Sequence, residues 1–155
     1  RDLPEFRGGI DGTYLVRTDS AFADIADLDR DGVSIAVGSG AAYDLYLTRN
    51  LQRASLLRLP TSAQAIAAFK AGDADAAGGV RQALVDAARD DGQFRVLDDR
   101  FMQIGQGIAV PNTRTPGGAS YVGLFVEAMK ASGRVRAALD ASGQDGAVVP
   151  AAAAQ

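Results

Sequence analysis

Cysteine and histidine are both absent from the 155 residues. The first absence excludes disulfides and thiolate chemistry but leaves the compartment open, since a well-cored domain needs no staples outside the cell. The two together remove Ser-His and Cys-His dyads, the usual zinc sites and the commonest general base near neutral pH. Glutamate occurs only at Glu5 and Glu127, far apart, so a paired-carboxylate mechanism would have to be built from aspartate. An enzyme is not expected, and nothing calls for a cofactor or a metal. No apolar run approaches the roughly 20 residues that cross a bilayer. Arg1 opens the chain without an initiator Met or a charged-then-apolar leader, so any secretion signal is expected to have been removed. Clusters of basic residues are missing too: the net charge is -3, the sequence pI about 4.8, and Lys and Arg are scattered. Nucleic acid is therefore not an expected partner.

What is present is 47% hydrophobic residues in a length that suits one ordinary domain, enough apolar surface to bury a core. From Val33 onward, short apolar strands alternate with helical stretches, which predicts an α/β fold: a mostly parallel sheet with flanking helices. Val33 to Val37 (VSIAV) reads as a buried strand between Arg30-Asp31-Gly32 and Gly38-Ser39-Gly40. Ala41 to Leu51 then places Tyr43, Tyr46, Leu47 and Leu51 on one helical face, with Asp44, Thr48 and Arg49 elsewhere. Ser55 to Leu59 (SLLRL) is a second strand, closed by Pro60. Thr61 opens a capping box with Gln64; Ser62, Ala65, Ile66 and Phe69 form an i, i+3, i+4, i+7 stripe that ends at Gly72.

Ala74 to Gly78 reads as a short strand of small residues, and the helix after it packs Val80, Ala83, Leu84 and Ala87 until Asp91-Gly92. Phe94 to Leu97 and Ile104 to Val110 are two further strands. Then Tyr121, Leu124, Phe125, Ala128 and Met129 share a helix face, Gly133 breaks the helix, and Val135, Ala138 and Leu139 begin a shorter one ending near Gly143. At the other end, Thr13 to Val16 (TYLV) stands as an isolated strand without a partner of its own, as a hinge or interdomain crossover would.

Three motifs carry chemistry. Asp27-x-Asp29-x-Asp31-Gly32 copies the first half of a calcium loop, but position twelve is Gly38 and a strand runs where the loop should continue, so a solvated turn is the reading. Gly38-Ser39-Gly40 lies between a strand and a helix N-terminus, where free N–H groups and the helix dipole attract an anion; a bare tight turn is the alternative. Tyr43 stands where a dinucleotide fingerprint needs its third glycine, and no Lys-Ser/Thr follows for a P-loop. Arg81 opens a helix just after Gly78-Gly79, where a cation is unfavourable to the dipole, which hints at a bound carboxylate; a solvated arginine is the other reading.

Asp27-Leu28 leading into VSIAVGSGAAYDLYL, then LLRLPTSAQAIAAFKAGDADAAGG from Leu56, GIAVPN from Gly107 and YVGLFVEAMKASGRVRAALD from Tyr121 resemble, in this order, the second lobe of family 3 bacterial solute-binding proteins, the type of polar amino-acid importers. The resemblance covers Thr13 to Gln144 and rests on block order and spacing. It implies one lobe of a type 2 periplasmic-binding fold with three layers. Residues 13–110 would be that lobe, with hinge strands near 13–17 and 104–110. Residues 111–144 would be C-terminal helices that return to pack on a first lobe absent from this chain. Residues 1–12 would be a flexible lead-in and 145–155 a frayed tail.

The same resemblance implies a periplasmic or extracytoplasmic receptor that closes on a small solute and docks on an ABC transporter permease. The solute carboxylate would be held by Gly38, Ser39, Gly40 and Ala41, with Tyr43, Gly79 and Arg81 beside it. Where the amino-acid binders place an Asp for the ligand ammonium, this chain has Gly79, Val80 and Arg81. That departure favours a small polar or anionic organic solute. A lone lobe is expected to bind weakly, because ligand pockets bury roughly 70–90% of a ligand's surface. The alternatives are an effector-sensing domain of a regulator or sensor protein, and a homo-oligomer formed through the uncovered lobe interface.

Overall fold

The computed structural model describes residues 8–89, 91–106 and 116–143, together with 149, 151 and 152. The chain divides into two compact units, Asp11–Ile104 and a second made of Arg1–Ile10 with Gly105–Gln155. The elements run in the order β1 (Gly8–Arg17), β2 (Ser34–Gly38), α1 (Ala42–Asn50), β3 (Ser55–Leu59), α2 (Ser62–Ala71), β4 (Ala76–Val80), α3 (Arg81–Arg89), β5 (Phe94–Val96), β6 (Met102–Gln106), α4 (Pro116–Ala131) and α5 (Arg134–Ala141), with one 3-10 turn at Ile25–Leu28. No helix among the described residues is long and apolar enough to cross a membrane.

The sheet has six strands in the order β3-β2-β4-β1-β5, with β6 also pairing with β1. Strand β2 runs parallel to β3, Ile35 opposite Leu56, and parallel to β4, Ile35 opposite Ala76. This is the expected parallel core. Strand β1 is the finding that the sequence reading missed. Far from standing alone, it lies antiparallel to β4, with Thr13 opposite Gly79, and antiparallel to β5, with Leu15 opposite Val96. Its partners are about sixty to eighty residues away along the chain, out of reach of any local pattern.

Burial on both faces explains the apolar runs. Along β1, β2 and β4, successive side chains point to opposite sides. Tyr14, Val16, Ile35, Val37 and Ala76 join Tyr43 and Leu47 of α1 on one face, together with Leu28, Val33 and Leu97. Leu15, Ala36 and Ala77 join Ala65 and Phe69 of α2, Leu84 of α3 and Phe94 on the other. Helix, sheet and helix form the three layers. Burial departs from the sequence reading at Ala83, which is exposed, and at Asp44, which is buried.

Boundaries follow from side chains that satisfy backbone groups. Thr61 Oγ1 accepts the Gln64 N–H at 3.2 Å and starts α2, and Gly72, at φ +96°, ends it. β4 begins two residues later than periodicity suggested because Asp75 is bound to β2: its carboxylate accepts the Ser34 N–H at 2.8 Å and its own N–H donates to Ser34 O at 2.9 Å. β6 ends its described run at Gln106; the expected hinge residues 107–110, the lead-in 1–7 and most of the tail lie outside the described residues. In the second unit, Gly133, at φ +72°, separates α4 from α5, and Tyr121, Leu124 and Phe125 of α4 are exposed at 70%, 65% and 53%.

The aspartates of the calcium-like motif turn to separate tasks. Asp27 accepts the N–H groups of Ala23 and Asp24 at 2.9 and 3.1 Å and pairs with Arg30. Asp29 Oδ1 accepts N–H groups from Gln52, Arg53 and Ala54 at 3.1, 2.8 and 3.0 Å, tying the turn before β2 to the loop after α1. The hydrogen bonds from Ala54 and Arg53 hold the Asp29 carboxyl below its ordinary pKa. A carboxylate whose folded pKa is lowered adds stability that is full above the ordinary carboxylate range and is lost as pH falls through the folded value. Asp29→Ala is expected to cost about 1 kcal/mol at neutral pH, the typical net loss of a hydrogen bond at a partly exposed site. Urea unfolding of both proteins should show that gap closing as the pH is lowered; a gap that holds steady into the acid range would show that the ionised carboxylate is not what clamps the loop.

Candidate functional site

In the parallel part of the sheet, β2, β3 and β4 each lead into a helix: β2 into α1, β3 into α2 and β4 into α3. Three helix N-termini therefore gather at the C-terminal edge of three adjacent strands, the edge at which open α/β sheets take ligands. The first three N–H groups of α1, on Ala42, Tyr43 and Asp44, precede the start of helical bonding, which begins with Leu45 N–H to Ala41 O at 3.1 Å.

Gly38 is what brings two of these helices together. A Cβ there would lie 2.8 Å from the Ser62 N and 3.0 Å from the Tyr43 hydroxyl, so only glycine lets the start of α2 sit against the end of β2. The Tyr43 hydroxyl and Ser62 Oγ hydrogen-bond across that gap. Tyr43 is otherwise core, 3% exposed, so its ring holds α1 to the sheet and only its hydroxyl reaches the edge. Ser39 donates its N–H to Leu59 O at 2.8 Å and is itself exposed. Gly40, at φ +76°, makes the turn into Ala41, the residue that precedes α1.

Asp44 is the residue that the sequence reading passed over. Its side chain, 5% exposed, accepts the Gly40 N–H at 2.8 Å and Arg58 Nε at 3.0 Å. Arg58 also donates to Thr48 Oγ1 at 2.7 Å. One loop N–H is thus already satisfied by a carboxylate of the chain, and that carboxylate's charge is offset by Arg58. An acidic residue in the first turn of a helix is the available signal; its position off the apolar helix face gives no sign of burial.

Gly79, next to last in β4, sets its backbone against Thr13 of β1, and a Cβ there would make an ordinary contact of 3.4 Å with Leu84. Arg81, the cation at the start of α3, faces the chain itself. It donates from Nη1 to Leu97 O at 2.9 Å and from Nη2 to Asp98 O and Asp99 O at 2.9 and 3.0 Å. Its Nε lies 3.7 Å from Asp11 Oδ2. The buried Thr13 hydroxyl takes two of the same carbonyls, Leu97 O at 3.1 Å and Asp99 O at 2.7 Å. Those carbonyls account for a cation at a dipole-unfavourable position. The seven candidate residues thus fall at one edge, but in two groups: the loop Gly38–Ala41 with Tyr43, and Gly79 with Arg81.

No protein-family model matches the chain, and no curated protein matches it. Solved structures do. An amino acid ABC transporter substrate-binding protein from Streptococcus pneumoniae, bound to L-arginine, aligns with a TM-score of 0.70 at 15% identity, over 92% of this chain and 60% of its own. The solute receptor for L-cysteine of Neisseria gonorrhoeae aligns at 0.68 with 20% identity, over 90% of this chain and 56% of its own. An ancestral amino acid-binding protein, a precursor of cyclohexadienyl dehydratase, aligns at 0.67 with 21% identity, over 88% and 58%. The chain therefore spans little more than half the length of the structures it matches, and over that length it has the α/β fold of the type 2 periplasmic-binding proteins.

Proposed function

We propose that the C-terminal edge of β3, β2 and β4 is one wall of a solute-binding cleft, and that the chain is part of an extracytoplasmic, non-enzymatic receptor of an ABC importer. The observation that carries this reading is the gathering of three helix N-termini at one edge of a parallel sheet, with Gly38 allowing two of them to meet. The likeness to a substrate-binding protein bound to L-arginine and to a solute receptor for L-cysteine supports it.

In this reading a small polar solute offers a carboxylate to the first N–H groups of α1 and to the Ser39 hydroxyl. Gly40 and Ala41 shape the loop, and Tyr43, braced by Ser62, holds the helix start in place. Gly79 and Arg81 flank the site from β4, with Arg81 fixing the 97–99 carbonyls rather than reaching freely outward. Because Gly79, Val80 and Arg81 supply no carboxylate for a ligand ammonium, the solute class is an organic anion more than an amino acid. The exposed Tyr121, Leu124 and Phe125 of α4 suit a helix that packs on another lobe or, failing that, on a second copy. Docking on a membrane permease belongs to the same reading.

Two-dimensional amide NMR tests the cleft directly. Succinate should shift the amides of Ser39 to Tyr43, methylammonium should not, and Ser39→Ala should weaken succinate about tenfold, the loss of one hydrogen bond to a charged group. If those amides stay still under succinate, or move only with the cation, the anion site is wrong. A second expectation concerns Gly38→Ala: the added methyl forces α2 away from β2 and should destabilise the chain by about 1–3 kcal/mol in chemical denaturation. Stability equal to the parent would mean that the two helices need not meet there.

A further inference from the structure

Beside the C-terminal end of α1, a groove of about 400 Å3 is floored by Tyr14, Tyr46, Leu47 and Phe101 and bordered by Ile25 and Leu51. Small-molecule pockets begin near about 300 Å3, so the volume suffices for a compact ligand. Its aromatic side is preassembled. Phe101 lies 4.7 Å from the Tyr14 ring, and 6.0 Å from that of Tyr46 with which it stacks at 21°. Phe101 N–H donates to Gly12 O at 3.0 Å, and a Cβ on Gly12 would come within 2.9 Å of its ring, so the glycine is what admits it.

The groove's charged lining is mostly acidic. Asp24, Asp29 and Asp99 border it against a single cation, Arg100, which is paired with Asp11 at 3.2 Å. Asp29 spends Oδ1 on three backbone N–H groups, while Oδ2 takes only Gln52 N–H at 3.1 Å, which leaves acceptor capacity on that oxygen. The last carbonyls of α1 add the negative end of a helix dipole. Two carbonyls near that end are taken, Tyr46 O by Asn50 Nδ2 at 2.7 Å and Leu47 O by the Leu51 N–H at 2.9 Å.

The Tyr14 hydroxyl is the independent sign of a ligand. Tyr14 is 1% exposed and makes no hydrogen bond to a described residue, yet no fully buried polar atom among the described residues lacks a partner. The hydroxyl therefore keeps a small exposed surface, and Tyr14 lines this groove. Burial foremost, then the charge of Asp29, raises its pKa, so it stays a neutral donor and acceptor.

We propose that this groove is a second binding site, distinct from the β-strand edge, for a small hydrophobic organic ammonium ion: the apolar body lies on Phe101, Tyr46 and Leu51, and the ammonium group meets Asp29, Asp24 and the Tyr14 hydroxyl. Aromatic rings beside carboxylates are the setting in which alkylammonium groups are recognised, through ring quadrupole and charge together.

The test uses the 155-residue chain and three probes of like shape: phenethylammonium, 2-phenylethanol and 3-phenylpropionate. Amide NMR titration should show phenethylammonium shifting Asp29, Leu51 and Phe101 while leaving Ser39 to Tyr43 in place. The alcohol should bind about two- to fivefold more weakly, the range for a partly exposed charge pair, and the propionate more weakly still. Asp24→Asn and Tyr46→Ala should each weaken the amine by a similar factor without changing the alcohol-to-propionate order. Equal binding of all three probes, shifts confined to Ser39–Tyr43, or no shift with the amine would overturn the proposal; the wild-type probe series decides it even if a variant fails to fold.

Discussion

Burial of β2 and β4 on both faces is the constraint on which everything else depends. A strand flanked by neighbours and covered above and below must be apolar at every position, as Ile35, Ala36 and Val37 are. Parallel neighbours cannot be joined by a tight turn, so each crossover carries a helix, and each helix must cover one face. Consequently all three helices start at the same edge of the sheet. The gathering of helix N-termini at that edge is a by-product of packing: the dipoles align there because the apolar faces have nowhere else to go.

The acidic balance of the chain serves this framework. Asp29 clamps 52–54, Asp75 starts β4 against β2, Asp27 closes the turn before the core strand, and Asp44 holds the loop at α1. Each carboxylate accepts backbone N–H groups that no strand or helix would otherwise satisfy. Arginines answer with the complementary role: Arg81 gathers three carbonyls between β5 and β6, and Arg95 reaches Phe22 O. Most of the charge near the core is therefore structural, and a functional charge has to be sought where a polar group is left facing open space.

Helix α1 has such openings at both ends, with opposite preferences. At its start, N–H groups not yet taken into helical bonding meet the Ser39 loop; at its end, carbonyls meet aspartates and an aromatic floor. The same macrodipole favours an anion at the first and a cation at the second. Nine residues at 1.5 Å each, about 13 Å, separate the two. That separation exceeds the Debye length of about 8 Å at physiological ionic strength, so occupancy at one end is largely screened from the other.

The sequence alone determined the local elements: the strand VSIAV, the Tyr43–Leu47 helix face, the Thr61 cap and the Gly72 stop all rest on periodicity and capping within a few residues. It also marked the Gly38–Gly40 loop, because glycine between a strand and a helix start is a local signal. What it could not determine was anything that joins distant segments. The placement of β1 between β4 and β5, the burial of Asp44 beside Arg58, and the use of Arg81 on the 97–99 carbonyls each depend on partners 14 to 84 residues away. The groove at Phe101 was invisible for the same reason: Tyr14, Tyr46 and Phe101 share no spacing in the chain and meet only once the sheet is closed. Periodicity reports which face a side chain takes; only the packed sheet decides what stands opposite it.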